Sequence, residues 1–238
     1  MSHEERQAFS ERLAQVQASI YQACLRAHRA PACVQLLAVS KYQPIRHIQE
    51  AWALGLRHFG ENYAQALRDR ACALAELQPL HWHAIGPVQK KNAKYIAKVA
   101  WAFHALDDLG LAEKLSQQRQ GEPLRCFIQL NVAKEPQKSG LNPAELASFL
   151  KATSALPGLH VCGLSCLPPL SAEPEKSRPY FKALASLACQ HSLKELSMGT
   201  TQDFHIAIEE GATWVRVGTA LFGEAPPGNP SLGEGILT

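Results

Sequence analysis

Eight short strand-like runs recur along this chain, and nearly every one is followed by a segment with the length and pattern of a helix. The runs fall at 34–39, 57–60, 81–85, 101–106, 124–132, 160–167, 195–197 and 214–217. Between them, residues 45–54, 63–77, 89–98, 109–118, 143–155, 174–190 and 202–210 read as helices. A run such as Val34-Gln35-Leu36-Leu37-Ala38-Val39 reads as a strand covered on both faces, and strands alternating with helices build a parallel sheet. Eight repeats predict a single-domain (β/α)8 TIM barrel, with a doubly wound open sheet as the alternative. The barrel is favoured because no Gly-x-Gly-x-x-Gly element follows the first strand. One extra helix is expected at the N-terminus over about 3–29, where Phe9, Leu13, Val16, Ile20 and Leu25 recur at helical spacing. Gly55 and Gly211 fall where helices end, and Asn142-Pro143 reads as a cap followed by proline in the first turn. No linker composition divides residues 1–238, so the barrel core is expected over about 30–224, with a partly ordered Pro- and Gly-rich tail at 225–238.

Composition excludes several classes. A formal charge of +3 over 238 residues is too mild to argue for a nucleic-acid partner. The local basic cluster Lys90, Lys91, Lys94 and Lys98 reads first as a solvated helix face and second as a phosphate-attracting rim. The seven cysteines are scattered, and no pair has zinc-ribbon or thioredoxin spacing. The charged start Met1-Ser2-His3-Glu4-Glu5-Arg6 is unlike a signal peptide. No apolar stretch approaches the roughly 18 residues needed to span a bilayer. A reduced, cytoplasmic, monomeric protein with no membrane association is the expectation.

In a barrel the active site lies on the loops at the carboxyl ends of the strands, often with a phosphate site after strands seven and eight. The residues at those ends are Ser40-Lys41, Gly60-Glu61-Asn62-Tyr63, His83-Ala84-Ile85-Gly86-Pro87, Asn131, Ser165, Ser197-Met198-Gly199-Thr200-Thr201 and Arg216-Val217-Gly218-Thr219. Lys41 matters most among them. An amine at the edge of a parallel sheet, partly desolvated, can attack an aldehyde to form a Schiff base; the alternative is an ordinary solvated lysine at a strand end. The last two loops each combine a glycine with hydroxyls, and the first of them leads into a helix N-terminus. That combination suits a phosphate, although Gly-Thr pairs at strand ends also make simple turns.

Six segments taken together resemble the pyridoxal phosphate homeostasis protein family. They are Leu37-Ala38-Val39-Ser40-Lys41, Phe59-Gly60-Glu61-Asn62-Tyr63, Trp82-His83-x-Ile85-Gly86-Pro87-x-Gln89, Lys138-Ser139-Gly140, Leu196-Ser197-Met198-Gly199 and residues 215–223, Val-Arg-Val-Gly-Thr-Ala-Leu-Phe-Gly. They come in the family's order and cover roughly 10–224. The resemblance implies a barrel similar to the N-terminal domain of alanine racemase, and pyridoxal 5′-phosphate (PLP) carried on Lys41 as an internal aldimine. It implies that Ser197, Gly199, Thr200, Gly218 and Thr219 surround the phosphate and that Arg216 faces the pyridine nitrogen. Asn62, His83 and Thr201 complete the expected cofactor-binding set. The implied role is storage, delivery or buffering of PLP without turnover, with PLP-dependent apoenzymes as receivers.

The chain departs from the family pattern in four places. Gln89-Lys90-Lys91-Asn92 reverses the usual order of amide and lysine, and Thr200-Thr201 replace Met-Ser. Gly163-Leu164-Ser165 stands for Gly-Leu-Met, and Glu224-Ala225-Pro226 for Arg-x-Tyr.

Other chemistries are weaker. His81-Trp82-His83 could suggest a metal-dependent hydrolase, but the later strand ends supply no further His or Asp ligands; His83 is expected at the barrel mouth near the cofactor and His81 in a structural role. Asp107-Asp108 reads as a helix cap, and Tyr63 as a helix start. A PLP-dependent racemase or decarboxylase is the enzymatic alternative, though such enzymes carry a second domain for which this chain has no residues. A Schiff-base aldolase is a further alternative, with its lysine usually on a later strand.

Overall fold

The computed structural model describes residues 3–133, 135, 139–169 and 171–224. Eight strands close into a parallel barrel in sequence order: β1 (Gln35–Val39), β2 (His58–Glu61), β3 (His81–Ala84), β4 (Ala102–Leu106), β5 (Leu124–Gln129), β6 (Leu159–Ser165), β7 (Glu195–Thr200) and β8 (Trp214–Val217). The helices are α1 (His3–Arg26), α2 (Ile45–Ala53), α3 (Ala64–Ala73), α4 (Ala93–Val99), α5 (Leu109–Gln118), α6 (Leu146–Thr153), α7 (Arg178–Gln190), α8 (Phe204–Glu209) and α9 (Thr219–Phe222). The expected barrel is thus the observed one, and the open sheet is excluded by the pairing of β1 with β8. None of the described helices is long and apolar enough to cross a membrane.

Most differences from the sequence expectation lie at element ends. Three expected helices begin as 3-10 turns, at Lys90–Asn92, Pro143–Glu145 and Pro174–Ser177. The fifth strand stops at Gln129 rather than 132; beyond it Leu130 still donates to the Ser165 carbonyl at 2.8 Å while Leu141 returns to bridge it on the other side. In α1, Leu25 is exposed instead of buried. Five residues separate it from Ile20, so it rotates off the apolar stripe, and Ala23 and Cys24 fill that place. The tail at 225–238 lies outside the described residues.

Two apolar layers result. The larger lies between strands and helices and includes Ile48, Leu67, Ile96, Leu115, Phe181 and Ile208. The smaller fills the barrel interior with Leu37, Ala102, Phe127, Cys162 and Trp214. Side chains alternate along each strand, which explains why short runs must be apolar on both faces.

Helix α1 has a positional job. Phe9, Leu13, Val16 and Ile20 are buried, and the Phe9 ring lies 5.4 Å from that of Phe222 in α9. Arg12 Nε donates to the Leu221 carbonyl at 2.9 Å, and Arg29, just past α1, donates to the Ile208 carbonyl at 2.7 Å. The extra helix therefore pins α8 and α9 from behind, the two helices that follow the last two strands. Phe9→Ala should destabilise the protein by about 3–5 kcal/mol, the cost of emptying a buried aromatic site. A urea midpoint unchanged from wild type would show that α1 is a passive appendage.

Candidate functional site

At the carboxyl ends of the strands lies one open cavity of about 780 Å³. Its wall includes Val39, Lys41, Tyr42 and Gln43 after β1, Asn62 after β2, and Ile85, Gly86 and Pro87 after β3. Gln129, Ser139 and Leu167 form another side, and Thr200, Thr201, Gln202, Arg216, Gly218, Thr219 and Gly223 complete it.

Lys41 sits on a turn that must be held. Gln43 N–H donates to the Ser40 carbonyl at 3.0 Å, closing the turn, and Tyr42 adopts φ 64°, a left-handed conformation uncommon for a bulky residue. Arg70 of α3 holds both ends: its NH1 donates to the Ser40 carbonyl at 2.6 Å and its NH2 to the Gln43 carbonyl at 2.7 Å. The same NH1 donates to Glu61 Oε1 at 2.7 Å, and Ser40 Oγ donates to that oxygen at 2.5 Å. Glu61 is almost wholly buried, and burial pushes its carboxyl up from the ordinary range while Arg70 and Ser40 pull it down. Strain at a functional turn persists when surrounding contacts over-determine it, and this ion pair supplies those contacts. The Lys41 side chain itself extends to the exposed mouth of the cavity.

Across the barrel seam, the loops after β7 and β8 present donors and hydroxyls. The sheet shifts register between Ser197 and Thr200, where Gly199 takes φ 88°. A Cβ on Gly199 would lie 2.5 Å from the Ala207 Cβ, so this glycine lets the loop pack on α8. Thr201 Oγ accepts from Gly218 N–H at 3.4 Å and from Ala220 N–H at 3.5 Å. These contacts are long for neutral partners, and an anionic oxygen would satisfy the same donors better. The nearby Asp203 carboxylate is occupied by Thr200, through N–H at 2.7 Å and Oγ at 3.1 Å.

Arg216 forms the inner wall. It is buried, which draws its guanidinium down from its ordinary value without a carboxylate in contact. NH1 donates to the Ser197 carbonyl at 2.7 Å and to Ser197 Oγ at 2.8 Å, and NH2 donates to the Cys166 carbonyl at 2.8 Å. Three of its five donors are engaged this way.

Residues 14–226 match the family described as alanine racemase, N-terminal domain. The pyridoxal phosphate homeostasis protein of Pseudomonas aeruginosa is 43% identical over 226 residues, covering 93% of this chain and 98% of that protein. Its Escherichia coli K12 namesake is 39% identical over 220 residues, covering 89% and 94%. The chain belongs to the pyridoxal phosphate homeostasis protein family. PipY of Synechococcus elongatus, solved with PLP bound, superposes with a TM-score of 0.76 at 35% identity, covering 90% of this chain and all of that one. Alanine racemase from Corynebacterium glutamicum shares the fold, with a TM-score of 0.63 at 18% identity over 94% of this chain and 64% of that one.

Of the residues expected from this family's motifs, the structure brings Lys41, Asn62, Thr200, Thr201, Arg216, Gly218 and Thr219 to one cavity. Ser197 and Gly199 stand behind its wall. His83 is not at the mouth as expected: it points into the barrel interior with no exposure, because β3 places it inward level with Gly60 and Ala102. There Nε2 pairs with His58 Nδ1 at 2.9 Å and Nδ1 with His104 Nε2 at 2.8 Å. Lys138 lies outside the described residues. In the departing segment, Lys90 pairs with Asp108 at 2.9 Å, Lys91 is exposed, and Asn92 accepts from Gln65 at 3.4 Å. As expected, Asp108 caps a helix, accepting from Leu111 N–H at 2.7 Å. Asp107 instead accepts from Gly140 N–H at 2.9 Å, anchoring the loop next to Ser139.

Sequence reasoning passed over Gln129, Ser139, Tyr42 and Leu167 as wall residues, and Arg70 altogether. Gln129 follows from the observed end of β5, whereas Asn131, the expected strand-end residue, organises its own loop, donating from Nδ2 to the Glu135 carbonyl at 2.7 Å.

Arg70→Met should leave the Glu61 carboxylate buried without its ion-pair partner, a change that typically costs about 3–5 kcal/mol. A buried acid with a raised folded pKa favours folding when protonated, so the penalty is least below the ordinary value of 4.5 and grows as pH rises above it. Urea midpoints of variant and wild type across pH 4–8 measure this. A difference independent of pH would show that Glu61 is not the group being compensated.

Proposed function

We propose that this chain binds PLP in the cavity at the strand ends, with Lys41 Nζ as the point of covalent attachment, and stores or passes on the cofactor without turning over a substrate. The observation that carries this reading is the shared cavity: a lysine on one side, two hydroxyl- and glycine-bearing loops across the seam, and a buried guanidinium at depth. When bound, PLP supplies an aldehyde, a phosphate and a pyridine nitrogen, and the three sets of side chains match those three groups. Thr200, Thr201, Thr219 and the Gly218 N–H suit the phosphate. Arg216 suits the ring nitrogen, to which it can only donate.

The same residues argue against catalysis. An arginine donor keeps the pyridine nitrogen unprotonated and the ring a weaker electron sink, whereas carbanion-forming sites commonly place a carboxylate there. No Asp, Glu or His is among the described residues of the cavity wall. Tyr42 pairs its hydroxyl with that of Tyr63 at 3.1 Å on the exposed rim, and that bond pushes the Tyr63 phenol up, away from use as a base near neutrality. An open mouth with Lys41 exposed suits release to another protein, and PLP-dependent apoenzymes are the receivers we propose.

Pyridoxal lacking the phosphate should bind at least a hundredfold more weakly than PLP, since several bonds to a charged group, at about 1.5–3 kcal/mol each, are lost. Equal affinities in a fluorescence titration would remove the phosphate site. In deuterated water, PLP-loaded protein mixed with L-alanine, L-serine or L-lysine should show negligible Cα exchange by NMR. Sustained exchange at about 1 per second or faster, the low end of enzyme turnover, would replace the storage reading with a racemase-like one.

A further inference from the structure

Arg216 begins a chain of hydrogen bonds that runs through the barrel to its opposite end. From Ser197 Oγ it passes to His104 Nδ1 at 2.7 Å, from His104 Nε2 to His83 Nδ1 at 2.8 Å, and from His83 Nε2 to His58 Nδ1 at 2.9 Å. Ser197, His104 and His83 are almost wholly buried, while His58 is only half-buried among His81, Trp101 and Trp214. We infer that this chain has a single direction, with all three histidines neutral and protonated on Nε2, and that Ser197 and His104 thereby act as positioning residues for Arg216.

The direction follows from counting hydrogens. A guanidinium donates and never accepts, so Arg216 NH1 gives a hydrogen to Ser197 Oγ. The serine's own hydrogen then has His104 Nδ1 as its acceptor. That nitrogen must carry a lone pair, so the His104 hydrogen sits on Nε2 and is donated to His83 Nδ1. The same step repeats from His83 to His58. The reverse order would put the His104 hydrogen and the Arg216 hydrogen on one hydroxyl oxygen, leaving the hydroxyl's own hydrogen without an acceptor among the described residues. The positive charge of Arg216 favours the same order, because each lone pair then faces toward it. At the far end, the charge of Arg125 is offset in part by its pairing with Glu195, whereas Arg216 has no carboxylate in contact.

Neutrality has its own support. Burial, followed by neighbouring cationic groups and histidines, holds His83 and His104 well below the ordinary imidazole value and His58 at about 4. Arg216 is thus held by a serine whose hydroxyl is turned away from it, with its oxygen lone pairs presented to the guanidinium. Rotation of that hydroxyl would break both contacts at once.

The test is long-range 1H–15N NMR on 15N-histidine-labelled protein without ligand, between pH 6 and 8. All three rings should show the neutral Nε2–H pattern throughout. An Nδ1–H tautomer or an imidazolium at His58, His83 or His104 would overturn the inference. Arg216→Met should give His104 a mixture of tautomers and Arg216→Lys should restore Nε2–H, whereas a pure Nε2–H His104 in Arg216→Met would show that the cation does not set the direction. In Ser197→Ala, the Arg216 guanidinium hydrogens should exchange with solvent at least tenfold faster; unchanged exchange would remove the positioning role. The wild-type spectrum decides the direction even if a variant misfolds. No ligand enters these measurements, so they stand apart from the PLP reading.

Discussion

The pairing of β1 with β8, Leu37 opposite Arg216 and Ala38 opposite Val217, is the contact on which the cavity depends. It closes the barrel, and it brings the turn bearing Lys41 beside the Gly218–Thr219 loop. Pairing of β7 with β8 then adds Thr200 and Thr201 to the same wall. Residues separated by more than 150 positions become neighbours through backbone hydrogen bonds that carry no side-chain information. Were that one pairing absent, strands one and eight would be edges, and the lysine would face no partner loop.

The molecule treats Arg70, whose side chain is largely covered, and the buried Arg216 differently. Arg70 meets the buried Glu61 at 2.7 Å and uses its remaining donors to hold the carbonyls on either side of Lys41. Its charge is matched, and its task is to fix backbone. Arg216 has carbonyl and hydroxyl oxygens for partners and no carboxylate in contact. Its charge is spread over dipoles, so it keeps a positive field at the inner wall of the cavity. A carboxylate beside Arg216 would quench that field; one beside Arg70 stabilises the turn without reaching the cavity. Packing from α1 completes the arrangement, since Phe9 against Phe222 fixes the short helix that begins at Thr219.

The barrel was legible because the strands are short, largely apolar and alternate with helix-patterned segments, so each strand-like run could be assigned a place. Lys41, Asn62 and the 216–219 loop followed from the strand ends. Inward-facing polar residues did not follow. His83 looks like a mouth residue because it stands one position before the end of β3, but its side chain turns into the barrel toward His58 and His104. His58 and His104 carried no signal, since a histidine inside an apolar strand reads the same whether it packs alone or bonds to another. Arg70 was hidden because a lone arginine on an amphipathic helix looks solvated; the buried Glu61 that explains it is nine residues earlier, on a different element. Pairings of this kind are set by tertiary geometry, which neither periodicity nor spacing encodes.

The central claim is that Lys41 is the residue to which PLP attaches. Borohydride reduction of the protein mixed with equimolar PLP, followed by proteolysis and mass spectrometry of the peptides, tests it directly. The account predicts a phosphopyridoxyl group on Lys41 in nearly every modified chain, at close to one per protein. A label concentrated on Lys90, Lys91 or Lys94, or spread evenly over the surface lysines, would contradict it.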